Sequence, residues 1–244
     1  MSRRLSQFHF SKTGLWRWER TNDVWHEYSR ELDFGKNRLG WAFVEDKSGN
    51  IWISTSGNET ETTLIRYREG EFKIFGKADG IPGGTMPDIF VDGKGRLWLA
   101  SSYAGLLRLD DVNAEQLNFV RYTTNEGLST PGVMCVTEDE FGRIYICTAR
   151  GLDRLNTETG QVENFTTADG LPNSYPQMAF RDRSNRLWFG TTDGVTRLTP
   201  EPERQRKPPN VLITGLRVGG EPQAISILGE SVIPPLELTA SQRQ

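Results

Sequence analysis

Four aspartates are the first residues that could do chemistry. Asp46, Asp92, Asp139 and Asp182 each open a turn of the form Asp-x-x-Gly, with Asn185 in place of the last glycine. Such turns resemble calcium loops on the surface, but a calcium loop needs several spaced carboxylates and a closing glutamate. None of the four has them. They read instead as hairpin turns, where Asp bonds its own backbone and Gly, or the tolerated Asn185, takes a positive φ. Arg17, Arg66, Arg108, Arg154 and Arg197 also recur and could ring an anionic ligand. The expectation is structural: stems packed between neighbouring elements and each guanidinium paired to a turn acid. Pairing Asp139 with Arg143 across a hairpin sets Cys135 opposite Cys147, which leaves a cross-strand disulfide open. Two buried free thiols acting as small hydrophobes is the expected state. His9 and His26 are the only histidines and lie near no plausible nucleophile, so a triad has little to stand on. No phosphate loop, zinc-spaced cysteine pair or His-x-x-x-His occurs, so no catalytic residue, metal or cofactor is expected.

The elements that position these residues repeat. Phe43 to Thr55 has counterparts at Ile89 to Ser101, Val136 to Thr148 and Ala179 to Thr191. Their anchor aromatics, Trp52, Trp98, Tyr145 and Trp188, are 46, 47 and 43 residues apart, as are the four turn acids. Tyr28, Phe75, Tyr122 and Phe165 recur at 47, 47 and 43. A third marker is a short strand after glycine, as in Gly105-Leu-Leu-Arg-Leu109 and Gly151-Leu-Asp-Arg-Leu155. Each period reads as four short strands, A to D: A leads into the Asp turn, B holds the anchor aromatic, C follows the glycine and D ends in the second aromatic. Four strands in about 40–50 residues is the signature of a β-propeller blade. Ser54, Ala100, Cys147 and Gly190 share one small position opposite the large rings. The fold class is therefore all-β, in four-stranded antiparallel blades.

Composition agrees. Seven tryptophans, twelve phenylalanines and 25 glycines among 244 residues favour turn-rich β structure. Hydrophobic residues at 36% can build a core, and a net charge of -3 gives no field for nucleic acid. No apolar run reaches the roughly 18–20 residues of a membrane span. Met1 to Phe10 has two arginines but no apolar stretch, so this chain shows no signal peptide.

The Asp-x-x-Gly-Arg-Leu-Trp-x-x-Thr core, the loops Asp79-Gly-Ile-Pro82, Glu126-Gly-Leu-Ser129 and Asp169-Gly-Leu-Pro172, and the Gly-Leu-x-Arg-Leu strand resemble the two-component regulator propeller repeat. The resemblance runs from Phe8 to Thr199. It implies the sensor region of a bacterial hybrid histidine kinase, extracytoplasmic or periplasmic, with an output domain this chain lacks. Residues 1–200 are expected to be blades, three complete and two partial, with Phe8 at the anchor position of the first. Residues 201–210 read as a charged linker. Val211 to Pro222 is similar to the opening of the immunoglobulin-like domain that follows such propellers, incomplete over 211–244. The partial blades imply a fragment with exposed edges that could self-associate.

Strand A crosses from one face to the other, so the D–A and B–C loops must share a face. Their polar and aromatic residues, Asn58, Tyr103, Arg150, Asn173, Tyr175 and Asp193, are the candidate ligand-binding set. The resemblance implies a small polar ligand or saccharide as partner, bound without turnover. A propeller lyase similar to virginiamycin B lyase is the enzymatic alternative, but strands B end in Ile-Ser-Thr, Leu-Ala-Ser, Ile-Cys-Thr and Phe-Gly-Thr, without the glutamate that family uses. A lectin-like or protein-interaction propeller is the third reading.

Overall fold

The structure is a computed structural model that describes residues 6–11, 14–29, 32, 39–56, 62–172, 175–202, 213–218 and 220–223. It divides into two compact units, Met1–Glu201 and Pro202–Gln244. The first unit is five antiparallel sheets in chain order. The first blade is β1 (Ser6–Ser11), β2 (Gly14–Glu19) and β3 (Val24–Glu27). The second is β4 (Leu39–Glu45), β5 (Ile51–Ser56), β6 (Leu64–Arg68) and β7 (Glu71–Phe75). The third is β8 (Asp88–Val91), β9 (Leu97–Ser101), β10 (Gly105–Leu109) and β11 (Phe119–Tyr122). The fourth is β12 (Val133–Glu138), β13 (Ile144–Thr148), β14 (Gly151–Leu155) and β15 (Val162–Phe165). The fifth is β16 (Met178–Arg181), β17 (Leu187–Thr191) and β18 (Gly194–Leu198). Among the described residues three blades thus have four strands and two have three, as the repeat predicts. In the second unit β19 (Leu216–Val218) pairs with β20 (Glu221–Gln223) as a short hairpin.

Register repeats with the sequence. Phe8↔Arg17, Trp52↔Arg66, Trp98↔Arg108, Tyr145↔Arg154 and Trp188↔Arg197 are the same cross-strand pair in five blades. The small position also holds: Ala42↔Ser54, Asp88↔Ala100, Cys135↔Cys147 and Met178↔Gly190. Each blade buries its anchor face against the aliphatic face of the next. Trp52, Leu64 and Phe75 pack on Ile89, Leu97, Leu99, Leu107 and Leu109. Trp98, Ala100 and Leu106 pack on Val136, Ile144, Ile146 and Leu155. Full burial of one such side chain stabilises the fold by about 1.5–3 kcal/mol.

Trp52, Trp98 and Tyr145 are buried as expected, whereas Trp188 is partly exposed. Its face carries Met178, Phe180 and Val195 at 73%, 65% and 67% exposure. No blade covers that face among the described residues.

The turn acids are fully used within their own blades. Asp92 Oδ1 accepts the Arg96 amide, while Oδ2 accepts Arg96 Nε at 2.6 Å and Trp98 Nε1 at 2.8 Å. Asp46 and Asp182 hold Trp52 and Trp188 in the same way, each at 2.9 Å. Burial works against the Asp92 charge, yet the bonds from Trp98 and Arg96 win and hold its carboxyl below the usual range. Asn185 takes φ 61°, as its turn requires.

Two expectations need correction. Cys135 and Cys147 are directly opposed, as the turn register predicts, but they form a disulfide across a Cα–Cα distance of 4.9 Å. A non-bridged pair would leave two sulfurs in contact in the same buried space, so the bridge replaces the free-thiol expectation. The recurring arginines are structural, but their partners are not the turn acids, whose Oδ2 atoms are taken by the hairpin arginine or by Asn50. Arg66 lies over Trp52 and Phe75, and donates to the carbonyls of Val112 and Ala114. Arg108 lies over Trp98 and Tyr122 and donates to Asp110 and the Tyr122 hydroxyl. In these two blades the guanidinium is a spacer between the two ring markers, whereas Arg17 lies over Tyr67 of the next blade.

Candidate functional site

The connectors from strand D to the next strand A are built by their own motif. In each, a single 3-10 turn is closed by the acid of the Asp/Glu-Gly pair, which reaches back to the capping amide. Gly76 N donates to Asp79, Thr123 N to Glu126 and Thr166 N to Asp169 at 2.7–2.8 Å. This is a capping box, so these acids serve the loop and not a ligand. The hydrogen bond from the Thr123 side chain holds the Glu126 carboxyl below its ordinary value.

The first two connectors are then clamped by B–C turns, so there the two loop sets share a face. Between the second and third blades, Thr62 Oγ1 bonds the Gly84 carbonyl and Ser102 N donates to Thr85 O at 3.0 Å. The Tyr103 ring lies so close over Gly84 that a Cβ there would sit 2.5 Å from it. Tyr103 is 75% exposed: one edge is braced and the rest faces solvent. Between the third and fourth blades, Gly105 N donates to Pro131 O at 2.8 Å, and Ser129 Oγ meets Thr148 Oγ1 at 2.9 Å. Arg150 is exposed, with its amide on Thr148 Oγ1 at 3.2 Å. The turns that carry Tyr103 and Arg150 therefore flank the connector 128–132, on its third-blade and fourth-blade sides, while the Tyr103 ring itself rests on Gly84 of the preceding connector.

The other candidates fall on the next seam or outside it. Tyr175, 39% exposed, lies on the connector into the fifth blade, and exposed Asp193 lies on that blade's B–C turn. Asn58 and Asn173 lie outside the described residues. His26 pairs with Glu19 at 3.3 Å on the outer strands of the first blade. Among the described residues no three of His, Cys, Asp and Glu converge as a metal-ligand set.

The repeat hides three acids at the seam between the third and fourth blades, Glu138 and Asp153 buried and Asp88 half-buried. Asp88 Oδ2 accepts the amide of Val136 at 2.9 Å, and Glu138 accepts that of Gly93 at 2.8 Å, so each blade bonds the other. Burial pushes the Asp88 carboxyl up to about 6 and raises that of Glu138. The third is Asp153, 1% exposed. Its sequence signal was a carboxylate where the same strand position holds Ile65 and Leu107.

Comparison with known proteins places this architecture. Residues 36–57 match the family model described as "Two component regulator propeller". No curated protein matches the chain in sequence. Among solved structures it is similar to the extracellular domain of the "putative hybrid two component system BT3049 from B. thetaiotaomicron". That match has a TM-score of 0.68 and 17% identity, covering 82% of this chain and 27% of that one. It is also similar to the extracellular domain of the "putative one component system BT4673" from the same organism, at TM-score 0.64 and 18% identity over 81% of this chain and 29% of that one. A structure titled "putative gluconolactonase" matches at TM-score 0.53 and 16% identity, over 81% of this chain and 71% of that one. The chain thus spans less than a third of the first two chains. The fold is therefore that of a β-propeller, and residues 36–57 match the two-component regulator propeller repeat.

Proposed function

We propose that this chain is the ligand-binding sensor portion of an extracytoplasmic signalling protein, taking a small polar ligand such as a saccharide on its loop face. The observation that carries the reading is the connector 128–132, bonded to both blades and flanked by the turns that carry exposed Tyr103 and Arg150. An aromatic edge and a guanidinium on a braced rim suit a polar, ring-bearing ligand. The matched repeat and the fold likeness to extracellular sensor domains support the same role. The buried Cys135–Cys147 disulfide supports an oxidising compartment. The gluconolactonase likeness supports the fold and adds no catalytic group to the loop face. In the full-length protein an output domain receives the signal, and the hairpin β19–β20 opens an immunoglobulin-like domain on the way to it. The outer edges of β1 and β18 are the surfaces for self-association.

Calorimetric titration with a panel of neutral and acidic mono- and oligosaccharides tests the proposal. Tyr103→Ala and Arg150→Ala should each weaken binding about tenfold or more, as loss of an aromatic or arginine anchor does. Lys94→Ala, in an opposite-face hairpin, should leave it unchanged. Loss of binding in Lys94→Ala alone would place the site on the wrong face here. Release of a cleaved product would replace sensing by catalysis.

A further inference from the structure

Asp153 occupies a position that the fold does not need to be polar. The third residue of strand C faces the preceding blade and is Ile65 in the second blade and Leu107 in the third, both fully buried. In the fourth blade a carboxylate fills it, beside the aliphatic seam residues Val136, Ile146 and Leu155. Burying a carboxylate there costs free energy that a leucine would not. Desolvation by burial raises its pKa, against hydrogen bonds from Ser129 and Asn164 that lower it.

The carboxylate's bonds say what it is kept for. Oδ2 accepts the Ser129 amide at 2.8 Å and the Ser129 hydroxyl at 3.1 Å, and Oδ1 accepts Asn164 Nδ2 at 2.5 Å. Ser129 Oγ continues to Thr148 Oγ1, which accepts the Arg150 amide. Asn164 is Asp153's own cross-strand partner on β15, so the acid is braced from the outer strand and aimed at the connector. Two residues further along, Pro131 O accepts Gly105 N from the third blade.

We propose that Asp153 is the positioning residue of the loop-face site, latching the connector 128–132 onto the fourth blade and so fixing Arg150 relative to Tyr103. This rests on the reading that ligand binds at that face, but the latch itself can be tested without a ligand. Amide hydrogen exchange of the full chain, resolved at Ser129 and Arg150, should speed up about tenfold or more in Asp153→Leu, the loss expected for one charge-assisted hydrogen bond. The melting temperature of Asp153→Leu should not fall, because the variant restores the residue type of the third blade. Asp153→Asn keeps an acceptor for the Ser129 amide and should accelerate exchange less than Asp153→Leu.

Unchanged exchange at Ser129 in Asp153→Leu would overturn the latch. So would a lower melting temperature with faster exchange throughout the fourth blade, which would make Asp153 a seam residue only. If Asp153→Leu does not fold, Ser129→Ala carries the test. It removes only the hydroxyl contacts and should speed exchange at Arg150 about threefold or more, as loss of a neutral hydrogen bond does; no change would overturn the proposal. A saccharide that binds wild type and Asp153→Leu equally at Tyr103 would sink the latch and leave the site standing. A saccharide that protects the opposite hairpins would sink the site, while the exchange data still judge the latch.

Discussion

Asp92→Ala should destabilise the protein by about 3–5 kcal/mol, the cost of leaving one partner of a buried ionic pair alone. The figure follows from what the carboxylate holds. Asp92 is 2% exposed and accepts from the Arg96 amide, Arg96 Nε and the indole of fully buried Trp98. Arg96 Nη2 already lacks a partner, so the guanidinium has no second acceptor to fall back on. Truncation therefore strands a guanidinium only 14% exposed and a buried indole N–H together, each costly by itself. Asp182→Ala removes the equivalent bonds to Arg186 and Trp188, but water reaches that blade, so its loss should be clearly smaller. Urea unfolding followed by circular dichroism and tryptophan fluorescence measures both. A loss below about 1 kcal/mol for Asp92→Ala, the range of an exposed pair, would refute the reasoning. So would equal losses for the two variants.

Other perturbations separate the remaining claims. The Asp88 carboxyl is raised to about 6 from 3.8, so its folded form prefers the proton, and its contribution to stability falls as pH rises from the unfolded pKa through the folded one. Wild type should lose up to about 3 kcal/mol from this group by pH 7.5, and Asp88→Asn, which keeps an acceptor for Val136 N, should not. Identical pH–stability curves for the two would contradict this. Reduction of Cys135–Cys147, 12 residues apart, should cost about 3 kcal/mol, and unreduced protein should show no titratable thiol. Gly105→Ala places a Cβ 2.0 Å from the Tyr122 carbonyl at φ +80°, so its loss should exceed the roughly 1–3 kcal/mol of backbone strain alone. Gly160→Ala, with φ +75° and open space around it, should stay within that range.

The fold was legible because one blade explains another. Trp52, Trp98 and Tyr145 share a period, a register and a buried seam, and the Cys135–Cys147 opposition followed from the turn at Asp139. The bridge itself was not legible, since register sets distance and not oxidation state. The arginines' partners were missed because they differ from blade to blade: Arg66 reaches Val112 in the next blade's C–D loop, whereas Arg108 bonds Asp110 and Tyr122 of its own blade, and such contacts have no trace in the spacing. The loop face was readable as a place. Its inner support was not, because Asp153 and Ser129 meet across a connector, and only the break from Ile65 and Leu107 marked the position.

Hydrogen-exchange footprinting of the chain with and without a bound saccharide tests the central claim most directly. Protection should concentrate at residues 84–85, 102–104, 129–132 and 148–150, where the connectors and B–C turns meet around Tyr103 and Arg150. Protection confined to the opposite hairpins, at residues 92–96 and 139–143, would contradict the account.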